Sequence, residues 1–341
     1  MLSTIWFVLW GVLWAVYFML DGFDLGLGIL KPFLAKTEQE HKVALNAMGP
    51  FWNGNEVWLI TAGGVTFAAF PGTYAVMFSA LYTPLMLLLF ALILRGISYE
   101  FRGKEDAGWW RKTWDLCHFA GSFVAALLLG VAFANIFAGI PIDGDGIFQG
   151  NLLTLLNPYG LAGGVFFVLM FSVHGGLWLA NKSQGKLRER TAKAIKVLWG
   201  LLLIVAVAFL SFTWFATSLW RNVLTRPLTL LLPILAVSGL LATRVFVARS
   251  NWWKAWFSSS VTIVGSTLFG VAGLYPALLP SSLNPGFSRT AFNTQSSPLT
   301  LKIMLGVALV MVPIVILYQA WVYRRFSEPV TVESLVTEDL Y

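Results

Sequence analysis

The stretch IWFVLWGVLWAVYFMLDGFDLGLGI, residues 5–29, is an apolar run interrupted by only two charged residues, Asp21 and Asp24. A helix needs about 20 predominantly apolar residues to cross the hydrocarbon core of a bilayer, and this run is long enough. No basic segment precedes it, and it exceeds the length of a typical signal-peptide core. We therefore predict a membrane-spanning helix that is not a cleavable signal.

The composition extends this interpretation to the whole chain. Of 341 residues, 57% are hydrophobic and 11% are charged, and the mean hydropathy is +0.74. Soluble domains carry about 25% charged residues, so the values exclude a soluble enzyme, a nucleic-acid-binding module and a disordered chain. Porin-type strands alternate apolar and polar residues, whereas this chain has long apolar blocks. The single cysteine, Cys117, excludes an internal disulfide framework and a cysteine-ligated cluster.

Nine apolar blocks are long enough to span a membrane, and the predicted fold class is all-α, a polytopic membrane protein. The blocks are Ile5–Ile29, Trp52–Phe70, Tyr74–Ser98, Trp114–Phe137, Pro158–Ala180, Ile195–Leu219, Leu228–Ala248, Trp256–Leu279 and Leu301–Tyr323. We expect one integral membrane domain over residues 1–326 and a short acidic tail over residues 327–341. Gly22 and Gly26, four residues apart, predict a close helix contact.

The lysines and arginines orient this domain. Nine spans place 19 of them on the side of the first loop and the C-terminus, and leave four on the other side: Arg221, Arg226, Arg289 and Lys302. Loops rich in lysine and arginine stay in the cytoplasm. The expected topology is therefore an outside N-terminus and a cytoplasmic C-terminus.

Ionisable residues at membrane depth are costly and mark functional sites by default. The spans or their ends carry Asp21, Asp24, Glu56, Arg95, Glu100, Asp115, His118 and His174. With the predicted topology, all of them lie toward the cytoplasmic side. A path open to one side indicates proton uptake, whereas a proton-coupled transporter, the alternative function, needs access from both sides.

Two roles remain open for the carboxylates of the first span. Asp21 and Asp24, three residues apart, share a helix face; they form a proton relay, one of them forms a structural ion pair with Arg95, or both roles hold together. Asn53 and Glu56 share a face in the same way, and Glu56 is predicted to be a relay acid. Glu100 and Asp115 are interpreted as groups of the helix ends.

His118 and His174 fall at similar depth on consecutive spans, so one haem held by both histidines is a weak alternative. Buried histidines without a ligand are the favoured interpretation. Trp52 and Trp58 flank the polar start of the second span and are candidates for packing at a site or an interface. The chain has no HExxH motif and no other recognisable metal motif.

Seven stretches together carry a family resemblance. They are DGFDLGLG (21–28), GPFWNGNEVWLITAGGVTFAAFP (49–71), LILRGISYEFR (92–102), GSFVAALLLGVAFANI (121–136), NPYGLAGG (157–164), YPALLPSSLNP (275–285) and SSPLTLKIMLGVALVMVPIVILYQAWVYRRF (296–326). Over nearly the whole chain, the sequence resembles subunit II of the cytochrome bd-type quinol oxidases. The resemblance implies two four-helix bundles plus one peripheral helix, in the cytoplasmic membrane of a bacterium or archaeon.

The resemblance also implies a function. Such complexes oxidise quinol and reduce O₂ to water, and subunit II pairs with a subunit I that ligates two b haems and one d haem. We therefore expect no cofactor ligated by this chain, and no nucleic-acid partner. A structural quinone, lipid and a small single-span subunit are further candidate partners. Subunit II supports the haem site and supplies a proton path from the cytoplasm.

One position departs from the family pattern. Asp21 and Asp24 match family positions near the proton entrance, and the FWxGN motif matches at Trp52, Gly54 and Asn55. Many members carry aspartate where this chain has Asn53, and an amide cannot release a proton at neutral pH. We expect Glu56, one helical turn further on, to replace that acid.

Overall fold

The computed structural model describes residues 1–331, and almost all of this part is helical. The helices are α1 (Leu2–Leu34), α2 (Glu38–Asn46), α3 (Trp52–Ala69), α4 (Pro71–Ala80), α5 (Tyr82–Phe101), α6 (Gly108–Ala138), α7 (Leu152–Leu155), α8 (Pro158–Lys182), α9 (Gly185–Ala216), α10 (Leu219–Leu224), α11 (Leu231–Ala248), α12 (Trp252–Leu274) and α13 (Pro298–Arg325). Two 3-10 helices (Pro227–Leu230, Pro285–Phe287) and an antiparallel pair of short strands, β1 (Ala277–Leu279) and β2 (Arg289–Thr290), complete the structure. The predicted class, an all-α polytopic membrane protein, is confirmed.

Local sequence explains where several helices begin. Asn157 accepts a hydrogen bond from the backbone of Gly160 at the start of α8, and Ser297 caps α13 in the same way; both are followed by proline in the first turn. These residues satisfy backbone N–H groups that have no partner inside the helix. The short helix α2, absent from our prediction, starts at a capping box formed by Thr37 and Glu40.

Eight helices in the described residues are long and apolar enough to cross a membrane. The predicted second span is the exception, because α3 has only 18 residues and begins with the polar run 53–56. The third predicted span is divided at Leu81 into α4 and α5. The count of nine spans therefore stays a prediction. The helices α6 and α9 also extend beyond the predicted apolar blocks, since their charged first turns continue the helix.

Helix α1 is the centre of the molecule. It packs against α3, α6, α8 and α12, while α5 packs on α6, α9 on α8, and α11 on α12. An ideal Cβ on Gly26 would lie 1.7 Å from the carbonyl oxygen of Phe171, and one on Gly22 would lie 2.7 Å from the ring of that residue. The predicted close helix contact at these glycines is thus confirmed, between α1 and α8.

Helix α13 lies at the periphery, and Leu301 is the one residue of this helix that is classed as buried. Its end is held by Lys182, whose ammonium donates hydrogen bonds to the carbonyl oxygens of Phe326 and Glu328. Lys182 in turn accepts a bond from the backbone of Val330, at 2.8 Å. Residues 332–341 of the predicted acidic tail lie outside the described residues. Five helices finish at the same end of the bundle: α1, α5, α8, α11 and α13. We call this end the basic end.

Candidate functional site

A buried ion pair joins α1 to α5. The guanidinium of Arg95 donates two hydrogen bonds to Asp21, at 3.1 Å from Nη1 to Oδ2 and at 2.6 Å from Nη2 to Oδ1. Both side chains are fully buried. The ion-pair alternative is therefore the observed geometry for Asp21. This geometry does not test a relay role, because a paired carboxylate can still exchange protons with its neighbours.

Asp24 has a different environment. Its Oδ2 accepts a hydrogen bond from Asn55 Nδ2 at 2.7 Å. Its Oδ1 is buried and has no hydrogen-bond partner within residues 1–331. Asn55 Oδ1 accepts a bond from the hydroxyl of Tyr323 at 2.8 Å. Asp24 is therefore linked through the FWxGN motif of α3 to α13.

Glu56 completes what we call the acid cluster, which consists of Asp21, Asp24 and Glu56 around Arg95. Its side chain is partly buried and interacts electrostatically with Arg95 and Asp21. It makes no hydrogen bond or ion pair with another residue in the part of the chain that the structure describes. Three carboxyl groups thus share one guanidinium, and an excess of buried negative charge is costly. A proton retained within the cluster relieves this charge.

The remaining residues of the α3 start differ in position. Asn53 is exposed on the surface of the isolated chain. Trp52 stacks on Tyr99, with ring centroids 5.1 Å apart. Trp58 is buried, and its Nε1 donates to Gln319 Oε1 of α13 at 2.9 Å. Both tryptophans therefore pack within this chain, beside the acid cluster and against α13.

A group of ion pairs lies at the basic end. It is at least one helical turn closer to that end than the acid cluster. Lys31 Nζ and Arg102 Nε both bond Asp115 Oδ1, at 2.6 and 2.8 Å. Arg102 also bonds both carboxylate oxygens of Glu38, at 2.7 and 3.0 Å. These bonds hold the pKa of Glu38 below its ordinary value. Lys31 follows the predicted span Ile5–Ile29 and would belong to the first loop, but it lies on the last turn of α1 with a fully buried side chain.

His118 and His174 have separate partners. His118 Nδ1 lies 2.9 Å from Ser98 Oγ of α5, whereas His174 bonds Ser259 of α12 through Nδ1 and the carbonyl oxygen of Met19 through Nε2. Both nitrogens of His174 are thus occupied. His118 Nε2 would lie only 2.9 Å from a Cβ placed on Gly28, which leaves no room for a porphyrin. The two histidines do not fit the axial sites of one haem iron. Within residues 1–331 no group of three or more His, Cys, Asp or Glu side chains could hold a metal ion.

Comparison with known proteins now identifies the family. The family model for cytochrome bd terminal oxidase subunit II matches residues 2–326. This chain belongs to that family. The family assignment therefore does not support the alternative function, a proton-coupled transporter.

Relatives of similar length support this assignment. The chain is 35% identical to cytochrome bd ubiquinol oxidase subunit 2 of Bacillus subtilis, over 98% of this chain and 99% of that protein. It is 36% identical to a probable cytochrome oxidase subunit 2 of Haemophilus influenzae (95% and 94%) and 35% identical to cytochrome bd-I ubiquinol oxidase subunit 2 of Escherichia coli K12 (100% and 98%). A chain of the bd oxidase from Geobacillus thermodenitrificans has the same fold, with a TM-score of 0.75 at 15% identity, covering 95% of this chain and 98% of that one.

Sequence reasoning located the acid cluster but missed several of its partners. Asn55 was noted as part of a motif and not as the partner of Asp24. Tyr323 and Gln319 gave no recognisable signal, since an aromatic or amide residue near the end of an apolar helix is common.

Proposed function

We propose that this chain is subunit II of a membrane quinol:O₂ oxidoreductase and that its acid cluster takes protons from the cytoplasm for the reduction of O₂. The observation that carries this proposal is the cluster itself, three carboxyl groups at membrane depth around one arginine. The haems, two of b type and one of d type, belong to subunit I in this proposal. They supply the electron transfer and O₂ chemistry, whereas this chain holds and passes protons.

The proposed topology makes this delivery energetically useful. Protons taken from inside for water formation, combined with protons released outside by quinol, charge the membrane without a pump. Each elementary charge moved across 100 mV stores about 2.3 kcal/mol. An acid that retains a proton in a buried cluster can release it toward the reaction and then be reprotonated from the basic end.

Carboxyl-to-amide variants test this function in the purified two-subunit complex. We expect Asp24→Asn and Glu56→Gln to slow O₂ consumption and to reduce proton uptake from the inside of proteoliposomes, because an amide cannot exchange a proton. Glu100→Gln is the matched control, since Glu100 is exposed at the end of α5. Normal turnover and normal coupling in both cluster variants would remove these acids from the mechanism.

The outer face of α3 is the proposed contact with subunit I. This face exposes Asn53, Ile60 and Gly64 beside the partly exposed Glu56. A carboxylate at this depth is unfavourable in lipid, and small residues allow another helix to approach closely. A protein partner therefore suits this face better than lipid does.

Cysteine labelling tests the contact in a Cys117→Ser background. Ile60 and Ile204 have similar exposure in the isolated chain, 71% and 67%. We expect Ile60→Cys to be protected from a lipid-soluble maleimide in the complex, while Ile204→Cys on α9 reacts. Equal labelling of the two positions would argue against the contact.

The proposed site of a structural quinone is a cleft between α8, α9, α11 and α12. The cleft is apolar and is lined by residues such as Phe18, Phe166, Ala206 and Phe209, with the hydroxyl of Thr213 at its wall. An isoprenoid tail fits such aromatic surroundings. We expect Ala206→Trp to fill the cleft and to lower the quinone content of the purified complex. An unchanged content would exclude this location.

A further inference from the structure

Three helices direct polar residues toward one line of contact, which we call the polar seam. Its members recur at intervals of three or four residues, so each set occupies a single helix face. They are Asp21, Asp24, Gly28 and Lys31 on α1, Arg95, Ser98 and Arg102 on α5, and Asp115, His118 and Ser122 on α6. The seam joins the ion pairs of the basic end to the acid cluster, and His118 and Ser122 lie between the two.

The hydrogen bonds fix the roles of the two nitrogens of His118. The hydroxyl of Ser98 donates to the carbonyl oxygen of Arg95 at 2.5 Å. Its oxygen therefore accepts from His118, whose Nδ1 carries the proton. His118 Nε2 is left with a lone pair. This nitrogen is buried and has no hydrogen-bond partner among the described residues.

A second unpaired group lies beside it. Ser122 Oγ is also buried and without a partner within residues 1–331. An ideal Cβ on Gly28 would lie 2.9 Å from His118 Nε2 and 2.1 Å from Ser122 Oγ, so these two atoms are at most 5.0 Å apart, the sum of the two distances. One water molecule with two ordinary hydrogen bonds spans up to about 5.5 Å. Buried polar groups that lack protein partners are commonly satisfied by such a water.

The surrounding charges favour a neutral His118. Its neighbours include three cations, Lys31, Arg95 and Arg102, and the carboxylates closest to them, Asp115 and Asp21, are already paired. A positively charged imidazole is therefore unfavourable here. His118 is suited to hold a water through its lone pair and not to carry the proton itself.

We propose that protons reach the acid cluster along the polar seam and that His118 and Ser122 position the water that joins the basic end to Asp24. The water accepts a proton from the side of Asp115 and releases another toward the unpaired Oδ1 of Asp24. The acceptance and the release together leave the number of protons at this water unchanged. His118 and Ser122 are positioning residues in this sequence, which rests on the proton delivery proposed above.

A different entrance is conceivable through the cleft at the basic end beside α13, which has a volume of about 760 Å³ and is lined by Asn46, Lys182 and Arg324 among others. Phe51 lines this cleft, and its ring centroid lies 4.6 Å from that of Tyr323. The hydroxyl of Tyr323 already donates to Asn55. We therefore favour the seam.

The test compares variants of the whole complex. His118→Leu removes the acceptor, His118→Gln retains one, and Ser122→Ala removes the hydroxyl. His174→Gln is the matched control, because His174 is equally buried but bonds α12 and α1 away from the seam. The measurements are the rate of proton uptake from inside proteoliposomes, kcat and KM for quinol, and the solvent deuterium isotope effect on kcat.

We expect His118→Leu to slow proton uptake and kcat about tenfold, the effect of losing about 1.4 kcal/mol of hydrogen bonding in the rate-limiting transfer. The KM for quinol should be unchanged, the isotope effect should increase, and His118→Gln should recover part of the rate. If His118→Leu does not assemble with subunit I, Ser122→Ala decides, because it removes a single oxygen atom.

The outcomes separate this proposal from the function on which it rests. Slow uptake in Asp24→Asn with normal uptake in the His118 and Ser122 variants would overturn the seam and leave the delivery function intact. Normal uptake in Asp24→Asn as well would overturn both.

Discussion

The ion pair between Arg95 and Asp21 gives a quantitative prediction. Replacement of Arg95 by leucine removes two hydrogen bonds and leaves Asp21 beside two further carboxyl groups in a site without solvent. Loss of one partner of a buried pair costs about 3–5 kcal/mol. The unfolding entropy of about 2.1 cal/mol/K per residue gives about 1.4 °C per kcal/mol for 341 residues, so we expect Arg95→Leu to lower the Tm by about 4–7 °C.

The double variant separates this cause from a packing defect. With Asp21→Asn added, the unpaired charge is gone, and replacement of both partners of a buried pair is often nearly neutral. We expect Arg95→Leu/Asp21→Asn to recover about 2 kcal/mol or more of the loss. The assay is size-exclusion chromatography of the intact complex after heating in mild detergent. If the effects of the two single changes simply add, the charge argument is refuted.

Three other expectations follow from local geometry. Gly26→Ala should lower the free energy of unfolding by about 1–3 kcal/mol, because the new methyl group meets a backbone carbonyl of α8. Gly306 has open space around it, so Gly306→Ala should leave the stability unchanged in the same melting assay. Since Arg102 lowers the pKa of Glu38 below its ordinary value of 4.5, this pair stabilises the fold above pH 4.5 and is lost as the pH falls through the lowered pKa. The stability difference between the native chain and Glu38→Gln should therefore shrink on acidification; a constant difference from pH 7 to pH 3 would contradict it. Gln319→Leu removes two hydrogen bonds that hold α13 on α3 and should weaken this contact by about 1–2 kcal/mol. The loss should be seen as faster proteolysis of the C-terminal region. Unchanged proteolysis would show that apolar packing alone holds the helix.

Much of the membrane architecture could be predicted from hydropathy alone. Long apolar runs have one stable solution in lipid, a hydrogen-bonded helix, so α1, α6 and α8 were predicted close to their observed positions. Hydropathy does not register a break such as that at Leu81, which separates α4 from α5 without any charged residue nearby. It also underestimates helices such as α9, whose basic first turns continue the helix into the aqueous region.

The acid cluster was predictable in its members but not in its pairing. Charged residues within apolar runs identified Asp21, Asp24, Glu56 and Arg95. Which aspartate pairs with Arg95 depends on the rotation of α1 against α5, and the sequence contains no measure of that rotation. The burial of Lys31 was missed for a related reason, since a lysine at the end of a span normally extends to the surface.

The hydrogen bond from Tyr323 to Asn55 has a consequence for biosynthesis. The two residues are 268 positions apart, and the tyrosine belongs to α13, which leaves the ribosome after the other helices of residues 1–331. The amide that orients Asp24 therefore acquires its second partner only when α13 has been inserted into the bilayer. A chain that terminates early would retain every carboxylate of the cluster and still lack the contact that fixes their geometry.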